Sequence, residues 1–94
     1  MAIQSFRCAD TQAIYEGRRQ RRFGANVLHS IERKLAMLAA ATMLEDLRSP
    51  PGNRLEALGG NRRGQHSIRV NDQFRVCFRW TPTGAEDVEA VDHH

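Results

Sequence analysis

Lysine is almost absent from this chain: of fourteen basic residues, thirteen are arginine and one is Lys34. A lysine-borne charge surface is thereby excluded, and what remains is the planar, permanently charged guanidinium, which matches phosphate oxygens with a fork. Two cysteines, Cys8 and Cys77, are too few and too far apart for a metal site or a disulfide framework, and free thiols fit them better than a bridge. No signal peptide and no apolar run of membrane length appears, so the expected compartment is the cytoplasm, with no membrane partner. Repeats and low-complexity segments are missing as well. At 94 residues there is room for one core and one domain, 1–94, and not for a separate regulatory unit. Basic residues are also missing from 80–94, which hold four acids, whereas 1–79 carry all fourteen bases against seven acids. A basic body meets an acidic closing segment. Arginine-rich usage from a GC-rich genome, with the charges as solvated faces, is the competing account of the composition.

The most informative stretch runs from Ser67 to Trp80. Its alternation places Phe74, Val76, Phe78 and Trp80 on one side of a strand and Arg75, Cys77 and Arg79 on the other. Upstream, Ile3 to Arg7 reads as a short strand, with Ile3 and Ser5 alternating against Gln4 and Phe6. Asp10 is the expected N-cap of a helix over Thr11 to Glu16, with Gly17 as its stop. Arg18, Arg19, Arg21 and Arg22 follow. Asn26 is the expected cap of a longer helix whose Val27, Ile31, Leu35 and Leu38 recur at spacings of three or four, with small residues Ala36, Ala39, Ala40 and Ala41 allowing close approach to a sheet. Ser49-Pro50-Pro51-Gly52-Asn53 and Gly59-Gly60 are breaks. Strands are expected over 65–71, 73–81 and 87–91, joined by turns at Asn71-Asp72 and Pro82-Thr83-Gly84.

Together these elements predict an α+β fold, an N-terminal strand and two helices packed on one face of an antiparallel sheet. The second face is then left to water, and Arg75 and Arg79 are expected on it. The closing Asp92-His93-His94 adds titratable groups near such a surface, provided that the last strand pairs nearby.

At these residues the chain resembles the HigB group of bacterial toxins, within the RelE and ParE toxin superfamily. The matching pieces are Ile3-Gln4-Ser5-Phe6, Arg33-Lys34-Leu35, the run from Ser49 to Leu55, the long run from Gly64 to Phe78, and Asp92-His93-His94. The resemblance implies a RelE-like fold and the toxin of a type II toxin-antitoxin system. It further implies a ribosome-dependent endoribonuclease that cuts messenger RNA, held in check by a HigA-type helix-turn-helix antitoxin, with operator DNA reached only through that antitoxin. The implied chemistry uses neither metal nor cofactor: a ribose 2′-hydroxyl attacks the adjacent phosphate. Arg75 matches the family's strand arginine. Asp92 and His94 match the ends of a closing Asp-Tyr-His motif in which His93 replaces the tyrosine. Glu56 stands where some members carry a histidine, and a carboxylate in water is the weaker base.

The catalytic candidates are therefore Arg75, Asp92, His93, His94 and Glu56. The candidate RNA contacts are Arg18, Arg19, Arg21, Arg22, Arg54, Arg62, Arg63, Arg69 and Arg79, which would hold backbone phosphates without choosing sequence. The alternative on the same fold is a ParE-like toxin that inhibits DNA gyrase by binding alone, and a basic nucleic-acid module without catalysis is a third class.

Overall fold

The computed structural model describes residues 3–92. Helices α1 (Ala9–Tyr15) and α2 (Ala25–Ala40) precede a four-stranded sheet of β1 (Glu56–Ala57), β2 (His66–Arg69), β3 (Phe74–Thr81) and β4 (Gly84–Asp92). The strands pair in sequence order, and all three pairings are antiparallel. This is the expected meander with one addition, since β1 arises in the segment between the two breaks. Short 3₁₀ turns at Leu44–Arg48, Pro51–Asn53 and Gly60–Arg62 fill the connections.

Helix α1 ends as its glycine predicts. Gly17 sits at φ +73° and donates to the Ile14 carbonyl, while Arg18 donates to that of Ala13, the paired closure that a left-handed residue makes available. Neither expected N-cap is one. Helix α1 starts two residues earlier than its expected Thr11 start, behind Cys8, so Asp10 falls in its first turn, where a carboxylate still meets the positive end of the helix dipole. Helix α2 begins behind Gly24, with Asn26 already inside it.

The N-terminal segment lies along β4 in parallel, through bridges Ile3 to Ala85 and Phe6 to Val88. Its inward residues are Ile3 and Phe6, three apart, rather than the alternating Ile3 and Ser5. The cause lies in β4, where the ladder shifts register opposite Cys77 and Arg79 and Asp87 takes φ +53°. Such a bulge absorbs one extra residue, so Ala85 and Val88 both face inward and their parallel partners take the same three-residue step. Ser5 holds the bulge from outside: its Oγ accepts from the Asp87 amide and its carbonyl from the Val88 amide.

The α2 stripe of Ile31, Leu35 and Leu38 is fully buried with Ile68, Val76, Phe78 and Val88. Phe74 and Trp80 pack at the margins of this core, as their side of the alternation requires. Phe23, just before α2, meets the Phe74 ring edge-on at 5.3 Å. The helices therefore cover the Phe74 to Trp80 side of β3.

The opposite side is not open to water as expected. Arg75 and Cys77 are buried there and Arg79 is half-buried: Ser67, Glu56 and the Arg54 carbonyl close around Arg75, and the chain between β1 and β2 folds back toward Arg79 and β4. Arg62 in that connection reaches across to Glu89 on β4, and a side chain at Gly64 would run into the Arg79 guanidinium.

Leu35 has no exposed surface and lies at the middle of the stripe. Leu35→Ala is expected to remove about 2–5 kcal/mol. That is a large share of the about 5–15 kcal/mol typical of a whole domain. A urea unfolding midpoint unchanged from the parent would show that the stripe does not carry the core.

Candidate active site on the second sheet face

Directly opposed residues on neighbouring strands share a face, so the register assembles a row from four separate segments: Glu56, Ser67, Cys77 and Glu89. The adjoining row is Arg69, Arg75 and Val91. A hydroxyl and a thiol thus sit between two carboxylates, with guanidinium groups alongside.

Arg75 is 8% exposed. Its Nε donates to Ser67 Oγ at 2.7 Å, its Nη2 donates to the Arg54 carbonyl at 2.9 Å, and the same nitrogen lies 3.4 Å from Glu56 Oε1. A charge so far out of water requires partners of this kind. Arg54 can offer its carbonyl because it closes the Pro51–Asn53 turn in the left-handed region, φ +46°. The turn is held in place by Asn53, which is wholly buried. Its side chain donates to the Leu47 carbonyl and accepts from Lys34 Nζ on α2 at 2.6 Å. Burial first, then the neighbouring Arg33 and Arg69, hold the Lys34 ammonium below its ordinary pKa.

At the other end of the row, Arg62 Nη1 donates to Glu89 at 2.7 Å and to Gln65 at 3.2 Å. The Glu89 contact raises the Arg62 pKa against the opposing effect of burial. Arg69 pairs with Asp72 in the β2–β3 turn, and Arg79 lies opposite Glu86 in the β3–β4 register. Of the acids of the closing segment, Glu89 therefore meets an arginine of the second face and Glu86 lies in register with another.

Asp92 stands opposite Phe74, not Arg75, so the pleat turns it to the helix side of the sheet, where Gln73 donates to it at 3.0 Å. The structure does not bring it into the Arg75 cluster. His93 and His94 lie outside the described residues. Glu56 does join Arg75, while its side chain keeps about half its surface in solvent.

The Arg18 to Arg22 segment is folded against the body. Arg18 pairs with Glu16, and Arg22 lies over the Phe23 ring and donates to Cys8 Sγ. Through Phe23 and Phe74 this basic segment reaches the start of β3, near the Asp92 end of the sheet. Arg19, Arg21 and Arg63 are exposed, and no ion pair engages them among the described residues. A groove of about 260 Å³ between the end of α2 and the β3–β4 turn lies at the far end of β3 from Arg75 and is lined by uncharged residues. Among the described residues no three His, Cys, Asp or Glu side chains converge as a metal site, and no helix is long and apolar enough to cross a membrane.

Sequence reasoning missed Ser67, the Arg54 carbonyl, Asn53 with Lys34, and the Arg62–Glu89 pair. Only the Pro-Pro-Gly-Asn turn carried a usable signal, since a polar residue closing such a turn often bonds back into it.

Two solved structures share this fold. A YafQ mutant from E. coli superposes with a TM-score of 0.65 at 11% identity, covering 97% of this chain and 91% of that one. The YoeB/ParE toxin from Agrobacterium tumefaciens gives 0.57 at 18%, over the whole of both chains. These likenesses define the fold as RelE-like. The particular family follows from sequence: the profile of the RelE-like toxin of type II toxin-antitoxin system HigB matches residues 4–94, and the chain belongs to that family. Toxin HigB-1 of Vibrio cholerae serotype O1 (strain ATCC 39315 / El Tor Inaba N16961) is 46% identical over 69 residues, 73% of each chain. An uncharacterized protein of Haemophilus influenzae (strain ATCC 51907 / DSM 11121 / KW20 / Rd) is 41% identical over 56 residues, 60% of this chain and 55% of that one. A toxin of this type has an antitoxin as its partner.

The two thiols are set apart by their surroundings. Burial pushes the Cys77 thiol up. Burial acts on Cys8 in the same sense, but hydrogen bonds from Thr11 and the Asp10 backbone, with the Arg22 charge, bring it below its usual value. Alkylation of the folded protein near neutral pH is expected to label Cys8 well before Cys77. Equal labelling of the two in the native state, read by mass spectrometry, would contradict this placement.

Proposed function

We propose that the chain is a messenger-RNA endoribonuclease acting on the translating ribosome, with Arg75 as the residue that steadies the scissile phosphate. The observation that carries this reading is the Arg75 guanidinium, drawn out of water and held by Ser67 and the Arg54 carbonyl with a carboxylate at 3.4 Å. A group that meets growing negative charge gains from being fixed in advance.

In the proposed reaction a ribose 2′-oxygen forms a bond to phosphorus and the bond from phosphorus to the 5′-oxygen breaks, leaving a cyclic phosphate and a 5′-hydroxyl. One group takes the 2′ proton and another returns a proton to the 5′-oxygen. Glu56, beside Arg75, is the base candidate supported by placement. An imidazole, with a reference pKa of about 6.5, suits either role, and His94 and His93 are assigned to it by the resemblance. Asp92, on the other side of the sheet, is assigned an orienting role toward its neighbours. The exposed Arg19, Arg21 and Arg63, with Arg18, Arg22, Arg54, Arg62, Arg69 and Arg79, are assigned to RNA backbone. A HigA-type antitoxin is the proposed partner in the resting cell.

Arg75→Ala is expected to lower kcat on ribosome-bound messenger about 10²- to 10³-fold. Cleavage at the parental rate, read from mapped messenger 5′ ends, would remove Arg75 from the site. DNA damage without messenger breakage on expression would instead point to gyrase inhibition. Removal of His94 is expected to slow cleavage, and an unchanged rate in that truncation would move proton transfer elsewhere.

A further inference from the structure

Ser67 is a small polar residue with no exposed surface in the middle of a sheet face, flanked in register by Glu56 and Cys77. Its hydroxyl accepts the Nε–H of Arg75 at 2.7 Å, and an apolar side chain there would leave that buried donor unmet. The Arg54 carbonyl takes Nη2 from the other side. Two acceptors on separate segments, together with the covalent stem, fix the plane of a guanidinium that otherwise turns about several bonds. Among the described residues no hydrogen bond engages Nη1.

We propose that Ser67 is the positioning residue of this site, fixing the Arg75 guanidinium before substrate arrives. The proposal rests on the reading of Arg75 as the phosphate-binding group. Ser67 itself touches neither substrate nor reacting atoms. Its contribution is orientation, which acts on the chemical step rather than on capture of RNA.

The test measures kcat and KM for cleavage of ribosome-bound messenger by the parent, Ser67→Ala, Ser67→Thr, Arg75→Ala and the double variant Ser67→Ala with Arg75→Ala. Ser67→Ala is expected to lower kcat about 10- to 100-fold with KM unchanged. Ser67→Thr, which keeps the hydroxyl, is expected to restore the rate, and Ser67→Ala is expected to add nothing in the Arg75→Ala background. An independent readout is the Arg75 Nε–H signal by nuclear magnetic resonance. It should exchange slowly with water in the parent and in Ser67→Thr, and quickly in folded Ser67→Ala. Parental kcat in Ser67→Ala, while Arg75→Ala is slow, would overturn the proposal and leave the Arg75 reading intact. Parental kcat in Arg75→Ala would bring down both. A further loss in the double variant, or a folded Ser67→Thr without recovery, would show that Ser67 acts other than through Arg75. Should Ser67→Ala fail to fold by circular dichroism, the parent and Ser67→Thr signals decide, and free exchange in the parent overturns the proposal.

Discussion

A guanidinium taken almost wholly out of water must be met by acceptors that do not move, and the Arg75 surround depends on that requirement. Ser67 comes from β2, the Arg54 carbonyl from the end of a 3₁₀ turn, and Glu56 from the edge strand β1. Ser67 comes from the neighbouring hairpin strand, whereas Glu56 and the Arg54 carbonyl lie about twenty residues upstream of Arg75 and are held by other contacts. The turn rests on Asn53, Asn53 on Lys34, and Lys34 on a helix whose buried stripe, Ile31, Leu35 and Leu38, lies beside it and fills the core. Core packing and the placement of one charged side chain are thus parts of a single arrangement, joined through the hydrogen bonds of Lys34, Asn53 and Ser67.

The same sheet serves both purposes because its two sides differ in chemistry, not in exposure. The helix side is apolar and closed by α2. The other side is polar and half-closed by the β1–β2 connection, with Arg62 on Glu89 and Arg79 packed beside Gly64. Arg62, Arg69 and Arg75 there are paired locally, with Glu89, Asp72 and Glu56. The exposed arginines 19, 21 and 63 supply the long-range attraction that a polyanion would feel first.

Much of the fold was legible because periodicity reports directly on burial. The α2 stripe and the alternation in β3 both predicted the core, and Gly17 predicted its helix end. The caps were misread because a polar residue near a helix start is favourable at more than one position, and only the backbone decides which it takes. The burial of Arg75 was not legible. It depends on the turn that ends at Arg54 closing around it, and loop paths leave no period in a sequence. The Ser67 and Arg54 contacts were hidden for the same reason, since register between strands is a property of pairs and a single strand does not state it.

The bulge at Asp87 has a bearing on how this chain tolerates change in length. By absorbing one extra residue it sends Val88 and Ala90 to the helix side and Glu89 to the second face, and it settles the side of the sheet on which the residues up to Asp92 emerge. Loss of a single residue at that point would invert the strand as far as Asp92, turning Val88 and Ala90 to the polar face and the Glu89 carboxylate into the apolar core, away from Arg62. The placement of Asp92 is therefore tied to a backbone irregularity at Asp87, where the left-handed conformation restricts substitution as well as deletion.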